Sequence, residues 1–327
     1  MNNVIIPKIQ HYVPQFILRN FTSNKKKQIY VYDKCKEKEF RTNIINIAAE
    51  SGFYDLDFME SKLTIELSLS EMEAKASELI KKIIQEKSLS HLTNGDKKHL
   101  SLFFAIQRTR GTSQRTMILE MNKLLEKHII KMGLNPSEVK DFKKMDEKDV
   151  KELSIKLVID AEEQAPYYYD KAWMLFSTDK KNPFIISDNP IVLQNQNDFK
   201  PYGNLGLAVK GIEIYMPICD TLLLGFLCHS IEDMFREMQQ KYNAYKNIIP
   251  NLNKELGVES YYYDSVLDSI DNGVPFHYSK DHVENVNSLQ VKFSNRFIYS
   301  SDGNFELVKD MLKFDPSLKN PKYIMGN

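Results

Sequence analysis

The chain has 327 residues, 42% of them hydrophobic, with 18 Phe and 17 Tyr; that fills the core of one large domain or two ordinary ones and excludes an intrinsically disordered protein. Lys+Arg and Asp+Glu both number 44, so the formal net charge is zero, which disfavours a globally basic nucleic-acid binder and leaves only a local basic groove open. Cys35, Cys219 and Cys228 form no CxxC pair, so neither a disulfide framework nor a thiolate zinc site is expected.

In chain order, the first residues, MNNVIIPKIQHYVPQ, break any apolar run with prolines and a histidine, so no signal peptide is read there. HYVPQFILRNF (11–21) reads as a short amphipathic helix with Pro14 near its first turn. QIYVYDK and KEFRTNI, joined by a charged turn, predict a β-hairpin. A long helix is expected from about Leu63 to Glu86, with Ile65, Leu69, Met72, Ala76, Leu79 and Ile83 as its buried stripe. A second starts at TNGD (93–96), capped by Thr93 or Asn94, and runs to about Arg110; after Gly111 a third, capped by Thr112 or Ser113, reaches about Lys131.

The charged stretch 134–152 reads as a helical connection and as the best boundary candidate. It would divide a hairpin-plus-helical part (1–133) from a helix-plus-sheet part (152–327), within what is otherwise read as a single domain (1–327). Helical pattern resumes to about Tyr169. From Ala172 the runs AWMLFS, PFIIS, PIVL, IEIYMPI and TLLLGFL predict an antiparallel sheet, followed by helices at about 230–247 and 280–294 and a strand RFIYS (296–300). LLLGFLC (222–228) is too short to span a bilayer, so a cytoplasmic protein with no membrane partner is expected. Strands and helices segregate rather than alternate, which predicts an α+β fold, a helix-rich N-terminal half packed with a mostly antiparallel sheet.

Four clusters could carry chemistry. His11 and Gln15 are four apart, and a helix starting near Tyr12 would stack them, with His11 kept neutral by the helix N-terminus and available as a base, metal ligand or phosphate contact; the bland reading is a histidine bonded to local backbone. Glu66 and Glu73 lie two turns apart on the long helix, and Glu73 has no cation three or four residues away, so it is solvated, paired from a remote segment, or a ligand or base. On the next helix Leu100, Phe103 and Phe104 are continued on the same face by Gln107 and Arg110, where polar groups must meet polar company. QRTRGTSQR (107–115) is the densest arginine cluster, and its guanidiniums suit carboxylate or phosphate; an internal salt bridge from Arg110 to Glu73 or Asp188 is the architectural alternative. FIISDNP (184–190) places Asp188 where a buried strand ends in a turn, structural by default but a rigid place for a catalytic carboxylate. GxxxxGK[ST], GxGxxG, HExxH and GxSxG are absent, and Asp33 with Glu37 and Lys38 fails the spacing of a metal-nuclease motif.

HYVPQFILRNF, VYDK, the MEA helix, FFAIQRTRGTSQR, AWMLF, FIISDNPIV, the MPI strand, VNSLQ and NRFIYS together resemble, collinearly from His11 to Ser301, a widespread bacterial family of unknown function. The chain departs from it at QRTRG, where relatives carry Arg-Thr-Pro. The resemblance implies that His11, Gln15, Glu73, Gln107, Arg110, Arg115, Asp188, Asn189 and Pro190 are motif positions, and that relatives are accessory proteins of mobile or defence-related gene neighbourhoods. The resulting expectation is a hydrolase, a phosphodiesterase or nuclease. His11, Glu73 and Asp188 would be its acid/base or metal set with Mg or Mn, Gln107 would orient water, and Arg110, Arg115 and Gln15 would hold the anion. A nucleic acid, nucleotide or protein partner goes with it. The alternatives are a non-enzymatic sensor or binding module for an anionic ligand or partner protein, and a purely architectural ion-pair network.

Overall fold

A computed structural model describes residues 9–22, 27–52, 62–199, 203–249, 251–257 and 261–320, with all side chains in them except those of residues 9 and 62–68. The chain begins with a short strand, β1 (Ile9–His11), and a five-residue helix, α1 (Gln15–Arg19). The helix expected from residue 11 is therefore cut short, and Pro14 supplies the reason. Its ring disfavours helical backbone at the preceding residue, so Tyr12 and Val13 donate their N–H groups to the Ala48 carbonyl, at 2.9 and 3.4 Å. The predicted hairpin forms as β2 (Gln28–Asp33) and β3 (Lys38–Asn43), and β4 (Ala49–Ser51) pairs antiparallel with β1, placing His11 opposite Ala49.

Three helices follow: α2 (Lys62–Glu86), α3 (Asn94–Thr109) and α4 (Thr112–Lys131). Thr93 caps α3 in a reciprocal box with Asp96, and Gly111, rather than Thr112 or Ser113, precedes the first turn of α4. Leu69, Met72, Ala76 and Ile83 of the expected stripe are buried, joined by Ile80, while Leu79 is only half-buried. Ile65 falls among the side chains outside the described set. The charged connection is not one helix: a 3-10 turn at Pro136–Glu138 and irregular chain lead to α5 (Glu147–Ile159), whose start is fixed by an Asp146–Asp149 capping box. The short α6 (Pro166–Tyr169) completes this part.

The C-terminal part carries β5 (Ala172–Ser177), β6 (Ile186–Ser187), β7 (Val192–Asn195), β8 (Ile212–Cys219), β9 (Leu222–Leu227), α7 (His229–Tyr245), α8 (Leu252–Leu256), α9 (Tyr262–Asn272), β10 (Phe276–His277), α10 (Lys280–Phe293), β11 (Phe297–Ser300) and α11 (Glu306–Phe314). A five-stranded sheet of order β10-β5-β9-β8-β7 is antiparallel except for the parallel β10–β5 edge, and an antiparallel sheet runs β3-β2-β11-β6. The fold is α+β.

Strand periodicity divides the five-stranded sheet into two buried faces. Trp173, Leu175, Leu224 and Phe226 point to the helices of the N-terminal half, where Phe226 lies 4.9 Å from Phe104 of α3 and 4.8 Å from Trp173. Met174, Phe176, Tyr215 and Leu227 point to the other side, against Val266 of α9 and Val283 and Val286 of α10. In the second sheet Val31, Ile186 and Tyr299 join the first cluster, and Tyr32 and Ile298 pack beneath Val308 and Leu312 of α11. One apolar cluster thus takes side chains from Tyr12 to Tyr299, on both sides of the charged stretch. No helix among the described residues is long and apolar enough to cross a membrane.

Candidate functional site

The inward face of α3 carries its apolar stripe straight into polar groups. Beyond the fully buried Leu100, Phe103 and Phe104, Gln107 is 1% and Arg110 2% exposed. Arg110 donates from Nε and Nη2 to Gln107 Oε1 at 2.9 and 2.6 Å, and from Nη1 to Glu73 Oε1 at 2.5 Å. Gln107 Nε2 in turn donates to the Tyr12 carbonyl at 2.9 Å. The cation that Glu73 lacks on its own helix thus comes from α3, and the network ties α2, α3 and the β1–α1 corner together. Glu73 keeps a 28% exposed side chain, so one edge of the network meets solvent. Glu66 lies among the side chains outside the described set.

His11 joins this group from the end of β1. Its ring lies against the backbone of Ile44 and Ile45, in the field of Glu73 and Arg110, and its Nε2 is buried with no hydrogen-bond partner among the described residues. Burial holds the imidazole below the ordinary histidine value, against the hydrogen bonding of Ile44 and the charge of Glu73, which pull upward. A helix N-terminus was the expected cause of neutrality; His11 sits on a strand, and burial takes that role. Gln15, half-buried, opens α1 and does not share a helix with His11.

Asp188 stands apart, at the end of β6. Its Oδ1 accepts from the Asn295 N–H at 2.7 Å and its Oδ2 from those of Arg296 and Phe297 at 2.7 and 2.8 Å, while its own N–H donates to the Phe297 carbonyl at 3.0 Å. Burial pushes its carboxyl above the usual aspartate value, and the three N–H groups and the Lys34 ammonium pull it back. Lys34 is itself fully buried, donating to the Val291 and Ser294 carbonyls at 2.9 and 2.8 Å, and burial lowers it to about 8. The neighbouring turn residues latch onto α10: Ser187 Oγ donates to Gln290 Oε1 at 2.7 Å, Asn189 Nδ2 to the Phe293 carbonyl at 3.0 Å, and Gln290 Nε2 to the Pro190 carbonyl at 2.9 Å. Asp188 therefore clamps the start of β11 onto β6, and Asn189 and Pro190 hold the same turn against α10.

The structure brings together His11, Glu73, Gln107 and Arg110, and leaves Asp188 in a neighbouring cluster. Among the described residues no group of three or more His, Cys, Asp and Glu side chains could hold a metal ion, so His11, Glu73 and Asp188 are not arranged as a ligand set. Nor is Arg110 presented to an anion, since its donors are engaged by Gln107 and Glu73. Arg115 donates from Nε to Ser154 Oγ at 3.2 Å and from Nη1 to Glu50 Oε2 at 3.5 Å. The gap it shares with Arg110, Gly111 and Ser154 has no room for a water molecule.

A concave site lies on the far face of the five-stranded sheet, missed by sequence reasoning. A cavity of about 200 Å³ is walled by Phe176, Tyr215, Tyr262, Phe276 and Tyr278, with Glu213 at its polar end. The signal was present in IEIYMPI: Glu213 interrupts an apolar strand at a position that shares Tyr215's face, opposite Ile212 and Ile214. Gly225, across from Tyr215 on β9, makes room for these rings, since a Cβ there would stand 2.4 Å from Phe176 Cε2.

These features define an α+β protein with a buried polar centre built from remote segments and a separate aromatic cavity. The chain belongs to a family described as "Protein of unknown function (DUF4238)", whose model matches residues 9–304, a span that takes in every residue of both sites. Neither the curated proteins nor the solved structures yield a match to the chain.

Proposed function

We propose that the protein is a hydrolase in which His11 is the general base and Glu73 the carboxylate that supports it. One observation carries this: a neutral imidazole whose buried Nε2 has no hydrogen-bond partner among the described residues, beside a half-buried carboxylate. A buried polar atom without a partner is uncommon, and a catalytic role is one of the few standard reasons for it. In this reading Nε2 takes the proton from an attacking hydroxyl or water, the Glu73 carboxylate steadies the imidazolium that forms, and the imidazolium returns the proton to the leaving oxygen. Arg110 and Gln107 are positioning residues that hold Glu73 and the Tyr12 backbone. This differs from the role expected of them, because their polar groups are already engaged by protein atoms.

Phosphodiesters, the substrate class suggested by the motif resemblance, are the first to screen: single-stranded RNA and DNA and bis(p-nitrophenyl) phosphate. The wild-type protein should cleave at least one with a chelator present, and His11→Asn should lower kcat about 100-fold or more with an unfolding midpoint unchanged at about pH 7.5. Full activity in that variant, or no hydrolysis by the wild type, rejects the scheme. Activity abolished by chelator and restored by Mg²⁺ or Mn²⁺ would reinstate a metal mechanism in place of this one.

A further inference from the structure

The aromatic cavity is independent of the His11 centre and lies on the opposite face of the five-stranded sheet. Its walls come from both layers: Phe176 and Tyr215 from the sheet, Tyr262 from α9, and Phe276 and Tyr278 from β10 and the turn after it. The rings are set by one another. Phe176 stacks on Tyr278 with centroids 4.3 Å apart at 28°, Tyr278 stacks on His282 at 5.1 Å and 27°, and Phe276 meets Tyr262 edge-on at 5.8 Å.

The polar end is a connected chain. Glu213 Oε2 accepts from the Tyr215 hydroxyl at 2.5 Å and from Gln194 Nε2 at 3.0 Å, and Gln194 Oε1 accepts from Asn285 Nδ2 at 3.1 Å. Burial, helped by the negative charge of Glu213, pushes the Tyr215 phenol well above its usual value, so it stays protonated as a donor to that carboxylate. Among the described residues, the donors bonded to Glu213, Tyr215 and Gln194, are neutral. The residues lining the cavity include neither lysine nor arginine, and their one histidine, His282, stacks on Tyr278 and pairs through Nδ1 with Ser279 Oγ at 2.9 Å.

A half-buried carboxylate met by neutral hydrogen-bond donors finds no counter-charge in them, which favours a cationic partner from outside. Aromatic faces around it favour the same sign, since the ring quadrupole attracts a cation held within about 6 Å of its centre. An anion would meet repulsion, and a neutral apolar molecule would leave the carboxylate uncompensated. From the carboxylate and the ring walls together, we infer that this cavity is a binding site for a small organic cation, of the alkylammonium or guanidinium class.

The test is calorimetric titration of the full chain with choline and with agmatine, beside 3,3-dimethylbutan-1-ol, the uncharged isostere of choline. At least one cation should bind about tenfold or more tighter than the neutral alcohol. Glu213→Gln, which keeps the side-chain shape and an acceptor for Tyr215, should weaken that binding about tenfold or more. Should the variant fail to fold, the wild-type comparison of cation with isostere decides alone. Equal affinity for the alcohol, unchanged binding in a folded Glu213→Gln, or no heat with either cation up to about 10 mM overturns the inference. None of these outcomes bears on hydrolysis at His11.

Discussion

Removing the Asp188 carboxylate should damage the fold, not a reaction. Asp188→Ala withdraws the acceptor of three backbone N–H groups at once, those of Asn295, Arg296 and Phe297, each bonded at 2.7 or 2.8 Å. A buried donor left unpaired costs about 1–3 kcal/mol. These residues are half-buried, so water reaches part of the gap and the lower half of that range applies; three donors then sum to about 3–6 kcal/mol. That is a large part of a domain's usual stability of about 5–15 kcal/mol. Asp188→Asn keeps one oxygen for Arg296 and Phe297 but turns an amide donor toward the Asn295 N–H, which should cost about 1–3 kcal/mol. Urea unfolding followed by fluorescence of Trp173, the single tryptophan and a buried one, reads both values. Two variants within about 0.5 kcal/mol of the wild type would refute the clamp, and an inactive Asp188→Asn of wild-type stability would return the residue to the reaction.

Two further outcomes follow from the buried centre. Glu73→Ala leaves the Arg110 guanidinium without its counter-charge, at a cost of about 2–4 kcal/mol given that Glu73 is partly exposed; Glu73→Ala with Arg110→Met should recover at least about 1 kcal/mol of it, and simple additivity in the unfolding energies would show that the pair is not coupled. His11 titrates lower in the folded chain than the ordinary 6.5, so the unfolded state binds the extra proton: stability should fall as pH drops through 6.5 toward the folded value, then level off. His229, raised by Glu232, contributes in the opposite sense, so the His11 part is read as the difference in urea midpoint between wild type and His11→Asn, at about pH 7.5 and about pH 5.5. A difference that does not change with pH would contradict the burial of the ring.

The helices were legible where periodicity and caps agreed. The TNGD start with Thr93 or Asn94 as cap, and the spacing of Leu69, Met72, Ala76 and Ile83, place α2 and α3 to within a residue or two, and the 28–43 hairpin follows from two β-rich runs joined by a charged turn. The N-terminal helix is shorter than its apolar spacing predicts because Pro14, which a first turn tolerates, also keeps the residue before it out of helical backbone. α9 and α11 are not legible in the sequence, because the amphipathic pattern of each is short and is completed only by the sheet face it covers.

For the centre, the amino-acid order alone determined that Gln107 and Arg110 lie on the buried side of a helix, because a period of 3.6 leaves them no other side once Leu100, Phe103 and Phe104 are inside. It also showed that Glu73 lacks a partner on its own helix. Which remote group answers each was decided only by packing. Arg110 could meet Glu73 or Asp188 with equal chemical sense, and the choice fell to Glu73 because three backbone N–H groups from 295–297 already enclose Asp188. Pairings between distant segments depend on where sheets and helices come to rest, and no local pattern encodes that. The cavity at Glu213 arises the same way, from strands, helices and a turn that touch only in the folded chain.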